Sequence, residues 1–431
     1  MANPVNPPRG MRDFLPADKA RREHALGIIR GVYRSHGFDE IETPVVEDHA
    51  RLHSGLGGDN EKLSFSILKR GIKPEALAAA AEAGDPEQLA DLGLRFDLTV
   101  PLARFYASHR AELPPVFRSI QIAPVWRAER PQKGRYRQFV QADIDIIGES
   151  GVIAEIELIT ATSQVLAQLG LKDCVIRVND RRILFGLLDH CGFAPEEQAG
   201  ALITVDKLDK IGVEGVTAEL AETNEAAAEA MRGILAGVDE ALAAGIPVTR
   251  EAIAAVLPTG AAEDGVASLV TLGEALAGGL PEGVEIRFDP TLVRGMGYYT
   301  GTIFEIAHPG SGSSVGGGGR YDGMIGRFLG QDVPAVGFSI GFERVVDLIE
   351  LDANAGPAAV ALVADQETPL DDLMVLKRAL VADGLRVRLE KRQKNMKTLL
   401  ARLEAEGFTR FANVRPGDRD AASLSWRELG E

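Results

Sequence analysis

The chain has 431 residues, 45% hydrophobic and 26% charged, the proportions of a folded protein of two or three domains, which exclude disorder, collagen and coiled coil as overall descriptions. Its two cysteines, Cys174 and Cys191, form no Cys-x-x-Cys pair, which excludes a disulfide framework and a cysteine-rich zinc site and points to a reducing compartment. A net charge of −16 excludes indiscriminate coating of nucleic acid; with no apolar run of ~18 residues and no secretory signal, a cytoplasmic chain with no membrane partner is expected.

Residues 18–36 carry Ala25, Ile28, Ile29 and Val32 at helical spacing behind a capping Asp18, with Gly37 placed to end the helix. Phe38–Val46 reads as a strand interrupted by Pro44, a residue confined to sheet edges and interfaces. Lys73–Leu92 is alanine-rich and reads as a helical insertion. Val116–Ala123, Arg135–Gln141 and Asp143–Ile147 are strand-like, and the short polar run between the first two predicts antiparallel pairing. Ile153–Leu169 reads as a long helix. From Pro195 to about Pro281 the chain is rich in Ala, Glu and Gly at helical period, which predicts a helical insertion domain. Val284–Phe288 and Ile303–Ile306 return to strand chemistry, and Gly310–Gly330 then holds nine glycines.

Ala353–Pro357 is a small-residue linker. Beyond it a strand (Ala359–Val363), a helix (Leu370–Ala382), a strand (Leu385–Leu389) and a helix (Met396–Glu406) predict a small domain with a largely parallel sheet. Residues 356–431 hold 13 Lys and Arg against 12 Asp and Glu, a net of +1, so the remainder carries −17. The basic run Arg386–Lys397 reads equally as a contact surface or as a solvated edge.

No Gly-Lys dipeptide occurs, so there is no P-loop, and any ATP must be held by side-chain cations. Gly312-Ser313-Ser314-Val315-Gly316 matches a hydrolase nucleophile elbow, but it exits through a block of four glycines, Gly316–Gly319, and no histidine lies beyond His308, so it reads as a turn. Two segments are sharper. Trp126–Phe139 packs five cations and one acid around a Pro/Gly turn between strands. Arginine forks there suit phosphate oxygens, and a solvated charged hairpin is the equal alternative. Leu292–Gly301 sets Arg294 between apolar residues and the pair Tyr298-Tyr299. A cation in such a setting must meet an anion, from protein or ligand.

Together these segments resemble the histidyl-tRNA synthetase family of class II aminoacyl-tRNA synthetases. Pro8-Arg9-Gly10-Met11-Arg12-Asp13-Phe14 is similar to that family's opening, and Ile41-Glu42-Thr43-Pro44 to motif 1, whose proline lies at a dimer interface. Arg127–Gln141 resembles motif 2, and the Arg294 segment the histidine motif, with Gly297 where the family carries Asp. Gly317-Gly318-Gly319-Arg320-Tyr321-Asp322 resembles a second histidine signature, and Ala335–Arg344 motif 3. These matches run in family order from residue 8 to residue 344, and six in order are specific where one is not.

The resemblance implies an α+β fold: a class II antiparallel sheet core of six or seven strands, a helical insertion domain and a C-terminal α/β anticodon-binding domain. The expected divisions are 1–194 and 283–350 for the core, 195–282 for the insertion and 357–431 for the last domain. It also implies a homodimer that activates histidine with ATP and Mg²⁺ and esterifies tRNA(His). Arg127, Arg294 and Arg344 are then the catalytic cations. The histidine site is Asp97, Thr99, Arg127, Gln141, Asp145, Arg294, Tyr298, Tyr299 and Tyr321. Arg127, Glu129, Arg135, Phe139 and Arg344 hold ATP, and Glu129 is also the candidate metal ligand. Two relatives are weighed against this: a non-catalytic regulatory paralogue, which typically loses the motif arginines and the C-terminal domain, and a class II synthetase for another amino acid, which would lack the Arg294–Tyr299 signature.

Overall fold

The structure, a computed structural model, describes residues 5–53, 62–132, 134–260, 262–295, 298–349 and 358–430. The linker 353–357, Lys133 and Gly297 lie outside them. The chain divides into two compact units, residues 1–12 with 27–349 and residues 13–26 with 350–431.

In chain order the strands of the larger unit are β1 (Asp39–Glu40), β2 (Val46–Asp48), β3 (Phe65–Leu68), β4 (Ala90–Leu94), β5 (Phe117–Trp126), β6 (Gln138–Ile147) and β7 (Cys174–Asp180). After the helical region come β8 (Val284–Phe288), β9 (Thr302–Ala307), β10 (Gly316–Arg320) and β11 (Ala335–Gly341). The main sheet has eight strands in the order β1-β5-β6-β11-β10-β9-β7-β8. From β5 to β7 every neighbour is antiparallel, whereas β1 and β8 add parallel pairings at the two ends. The sheet is thus one strand larger than the six or seven expected, and mixed at its edges. A parallel neighbour needs a crossover, and β8 is reached from β7 only through the helices of residues 181–276.

The insertion after Lys73 is α-helical over Pro74–Ala83, which ends at Gly84 in the left-handed conformation (φ 63°), and a short 3-10 turn follows at Pro86–Leu89. Its last residues join β4, the centre of a small antiparallel sheet with β2 and β3. On the main sheet, Ile153–Gln168 buries Leu158, Ile159, Val165 and Leu166. Glu155 of that helix receives Arg320 of β10 through two hydrogen bonds of 2.7 Å, a bidentate pair that satisfies both groups where water is excluded.

Five helices occupy Pro195–Val205, Leu208–Ala221, Glu225–Ala244, Arg250–Val256 and Glu263–Leu276. The third is capped by Asn224, whose side chain accepts from the Ala227 N–H at 3.1 Å. The apolar cluster built by Leu202, Val216, Leu220, Met231 and Leu235 also takes in Leu292 and Val293. The helical region therefore anchors the chain immediately before Arg294.

In the smaller unit β12 (Ala359–Ala364), β13 (Arg386–Lys391), β14 (Arg410–Val414) and β15 (Trp426–Glu428) form a sheet in the order β13-β12-β14-β15, parallel except at β15. β12 is buried throughout. Val360, Leu362 and Ala364 meet Leu373, Leu376 and Leu380 of one helix, while Ala359, Ala361 and Val363 meet Leu399 and Leu403 of the other. The two-residue period of the strand assigns one helix to each face.

Candidate active site

The site is laid out along β6. Ala142, Ile144 and Ile146 of this strand are fully buried in the core. The alternating residues Phe139, Gln141, Asp143 and Asp145 share the opposite face, as strand geometry requires. β5 leads into β6 through residues 127–137, where the Arg127 N–H donates to the Arg137 carbonyl at 2.9 Å and Gln132 pairs with Arg135. The charged segment is therefore a hairpin tip, and the second strand begins at Gln138 rather than Arg135.

Arg127 is oriented by its neighbours: Nε donates to the Phe96 carbonyl at 3.0 Å, and the guanidinium lies 5.1 Å from the Phe139 ring centroid. Burial draws its pKa down, against the opposing influence of Asp97, Glu129 and Asp143. Arg344, near the start of the helix Phe342–Leu348, donates to the Ser314 carbonyl. Burial, with Arg135 and Arg294 nearby, lowers its pKa as well.

Arg294 has an anion inside the protein. It pairs with Glu305 of β9, which also binds Arg177 of β7, and Arg177 reaches Asp289 at 3.1 Å. Burial pushes the Glu305 carboxyl up, but the two arginines outweigh it and hold it below its ordinary range. The Arg294 side chain remains 27% exposed, so it is a paired and half-open cation rather than a desolvated one awaiting a ligand. Its Nε is buried without a partner.

Arg127, Glu129, Arg135, Phe139, Gln141, Arg294 and Arg344 line one cleft of about 430 Å³. Arg135 stands at its rim, 54% exposed and 3.5 Å from Glu129. A smaller pocket lined by Thr99, Asp145, Tyr298, Tyr299 and Tyr321 shares Gly317 and Ser339 with the cleft. Here the Tyr321 hydroxyl donates to Asp145 Oδ1 at 2.6 Å. The Tyr298 ring meets Tyr299 edge-on at 4.8 Å and lies 5.7 Å from Tyr321. Burial raises the pKa of all three phenols, which keeps them neutral donors. Burial also pushes Asp145 up to about 7, against the Tyr321 hydrogen bond, and lifts Asp143 well above the carboxylate range with Asp145 as the second cause. Asp97 is buried behind the pocket and accepts from the Val100 N–H at 3.1 Å, at the start of the helix Thr99–His109.

The glycines of β10 and β11 make room for these groups. A side chain at Gly317 would strike the Arg294 guanidinium, and one at Gly337 would strike the Asp145 carboxylate. The glycine run is thus a central strand, and its bareness is a site requirement.

Several residues of the site escaped the sequence reading. Asp143 lies between Gln141 and Asp145 on the same strand face, and the two-residue period alone marks it. Glu305 is the one charged residue of the largely apolar Thr302–Ala307, a signal that a buried partner awaits it. Ser339 and Glu343 carry no such signal, because only the pairing of β11 with β6 brings them to the cleft.

With this geometry in place, known proteins supply the context. The histidyl-tRNA synthetase family model matches residues 10–345. The chain belongs to the histidyl-tRNA synthetase family. The histidine–tRNA ligase of Leifsonia xyli subsp. xyli is 66% identical over 432 residues, covering 100% of both chains. The probable histidine–tRNA ligase of Tropheryma whipplei is 42% identical, covering 96% of each. Among solved structures, the histidyl-tRNA synthetase from Nostoc sp. PCC 7120 matches with a TM-score of 0.75 at 27% identity, over 99% of this chain and 95% of that one.

Proposed function

We propose that the chain activates histidine with ATP and transfers it to tRNA(His). In the first step a histidine carboxylate oxygen attacks the α-phosphorus of ATP, the bond to the bridging oxygen breaks, and pyrophosphate leaves. In the second a 3′-terminal ribose hydroxyl of the tRNA attacks the carbonyl carbon of the adenylate, loses its proton, and AMP departs. One observation carries this reading. A cleft holding Arg127, Arg294 and Arg344 opens onto a pocket of buried acid and tyrosines, so anionic and cationic ends of one small substrate have separate seats.

Arg127 grips the α-phosphate and the substrate carboxylate. Arg294 approaches the α-phosphate, where a fixed cation stabilises the charge that grows on the non-bridging oxygens. Phe139 and Arg344 cover the two faces of the adenine, Arg344 also reaches the γ-phosphate, and Arg135 meets the outer phosphates. Asp97, Thr99 and Gln141 contact the amino-acid end. Asp145 and Tyr299 address the two imidazole nitrogens, while Tyr298 and Tyr321 line the ring. A pocket that hydrogen-bonds both nitrogens rejects rings lacking either one.

Mg²⁺ accompanies the nucleotide in this reading. The Glu343 carboxylate is occupied by Arg12 and by the Val140 N–H at 3.1 Å, whereas Glu129 meets Arg135 only at 3.5 Å and keeps lone pairs for a cation. When bound there, the ion would offset phosphate charge. A homodimer is supported by the sheet edge, where two residues of β1 cover a ten-residue β5. Light scattering at micromolar concentration should give twice the chain mass, and a monomer mass counts against it. No helix among the described residues is long and apolar enough to cross a membrane, and a cytoplasmic location is the finer reading.

The deciding experiment is ATP–pyrophosphate exchange with each of the twenty amino acids, followed by charging of tRNA(His). Exchange should depend on histidine alone. Exchange driven by another amino acid, or by none, would overturn the assignment.

A further inference from the structure

Among the described residues, one group of histidines and acids converges closely enough to hold a metal ion: His49, His53 and Glu87, whose ligand atoms all lie within 4.8 Å of one another. None of the three lines the cleft or the pocket described above. The fold brings them from two segments. His49 and His53 are four residues apart, on one face of the helix His49–Leu52 and its C-terminal cap, and their rings stack with centroids 4.1 Å apart. Leu52 anchors that helix: it is fully buried beside Gly93 of β4, where a side chain would strike it. Glu87 comes from the 3-10 turn Pro86–Leu89, and its backbone N–H is held by Asp85 at 3.1 Å. The hydrogen bonds prepare the lone pairs. His53 Nδ1 lies 2.9 Å from the His49 carbonyl, which can only accept, so Nδ1 carries the proton and Nε2 of the neutral ring is bare. That Nε2 accepts from the Ser64 hydroxyl at 2.8 Å. His49 Nε2 meets Glu87 Oε2 at 2.7 Å, and Ser66 Oγ reaches the same carboxylate oxygen at 2.6 Å and His49 Nε2 at 3.3 Å. The His49 side chain is 14% exposed and that of Glu87 53%, so the group is sheltered on one side and open to ions on the other.

We propose that His49, His53 and Glu87 bind a zinc ion, with water in the fourth position. Two imidazole nitrogens and one carboxylate oxygen form a mixed set that suits zinc, whereas magnesium and calcium take oxygen ligands. A ring nitrogen tied to a backbone carbonyl, with the other left as a lone pair, is how proteins orient an imidazole for a metal, and His53 already has that arrangement. Bonds of ~2.0–2.1 Å to a tetrahedral ion set its ligands roughly 3.3 Å apart. The closest contact here is 2.7 Å and the widest spacing 4.8 Å, so small side-chain rotations complete the site. The ion takes the place of the proton shared by His49 and Glu87, and Ser64 and Ser66 turn to the solvent side of the ligands. Zinc bound there clips the helix that follows β2 to the inserted segment before β4. The site is structural, and it stands independently of the histidine-activating function.

The test strips the full-length protein with a chelator and titrates it with zinc alone, in competition with a chromogenic indicator. Thermal melts with and without zinc are run beside the titration, and circular dichroism checks the fold of each variant. Wild type should bind one equivalent of zinc with micromolar affinity, keep it in a large excess of magnesium, and melt at a higher temperature when loaded. His53→Gln and Glu87→Gln should each weaken zinc binding about 10–100-fold or more. The double variant His49→Gln, His53→Gln should lose both the binding and the rise in Tm. His24→Gln removes an exposed histidine elsewhere and should bind zinc as wild type does. Binding weaker than millimolar in wild type, binding that persists in the folded double variant, or an equal loss in His24→Gln overturns the proposal. Should the double variant fail to fold, Glu87→Gln on its exposed turn decides, and an unchanged affinity there overturns the proposal.

Discussion

Arg294 is where the residue scale matters most. Its charge is balanced by Glu305, and Glu305 is shared with Arg177, so the guanidinium is held by a chain of ion pairs running to Asp289. Such an arrangement fixes a cation before its substrate arrives, the condition for stabilising a transition state without reorganisation. Arg294→Ala should slow single-turnover formation of histidyl-adenylate by about 10²–10³-fold, the cost of one lost oxyanion donor, with smaller changes in substrate binding. Arg294→Lys should restore only part of the rate, since a point charge does not replace a planar fork. A folded Ala variant that forms adenylate at the wild-type rate would reduce Arg294 to a structural partner of Glu305. Asp145 makes a different prediction. Its folded pKa of about 7 lies above the unfolded value near 3.9, so its contribution to stability is complete below about pH 4 and is lost as pH rises through 7. Thermal melts of the ligand-free protein at pH 4.5 and 7.5 should show a fall in Tm that Asp145→Asn lessens by roughly a few degrees. An equal fall in both proteins would remove Asp145 as its source.

At the scale of elements, β10 is the unusual one. Four glycines in a row weaken a strand, because glycine has the most freedom to lose and no side chain to pack. The neighbours compensate. Gly318 is paired with Phe304 on one side and Phe338 on the other, and the two rings close over it with centroids 4.7 Å apart. Arg320 at the end of the strand is locked to Glu155. The open space that remains at Gly317 belongs to Arg294. Gly317→Ala should therefore displace the guanidinium and lower adenylate formation about tenfold or more, while urea unfolding shows a loss of about 1–3 kcal/mol, the usual range for overpacking. A variant as active as wild type would mean that Arg294 need not lie across the strand.

At the scale of the whole molecule, the residues proposed to hold histidine and nucleotide all belong to the larger unit, and the C-terminal sheet has a core of its own. Its basic run is partly neutralised: Arg388 pairs with Glu406 and Arg392 with Asp365, and both Arg386 and Arg388 stack on Phe408. Lys391, Lys394 and Lys397 are exposed. We expect these lysines to meet tRNA phosphates. Replacing all three with Ala should raise KM for tRNA about tenfold and flatten its dependence on salt, leaving histidine-dependent exchange within about twofold. Unchanged charging would return the run to a solvated edge.

Much of this protein is written locally and was legible in the sequence. Helical and strand periods depend on neighbours a few residues apart, so the helix after Ile153 and the two strands around motif 2 are found from pattern alone. So is the alternation of the C-terminal unit. The family motifs are also contiguous, which is why Arg127, Arg294 and Arg344 can be singled out one by one. What the tertiary structure decided are the relations between strands distant in sequence. Glu305 becomes the partner of Arg294, Ser339 comes to the Gln141 amide, and Glu343 reaches Arg12, only because the sheet is ordered β6-β11-β10-β9-β7. The same order places the glycine run Gly316–Gly319 in the middle of the sheet. Hydrogen bonding between strands specifies no residue type, so the sequence period reveals each strand and its two faces but not its neighbour. That choice is made by packing of the whole core, and with it the partner of every charge in the site.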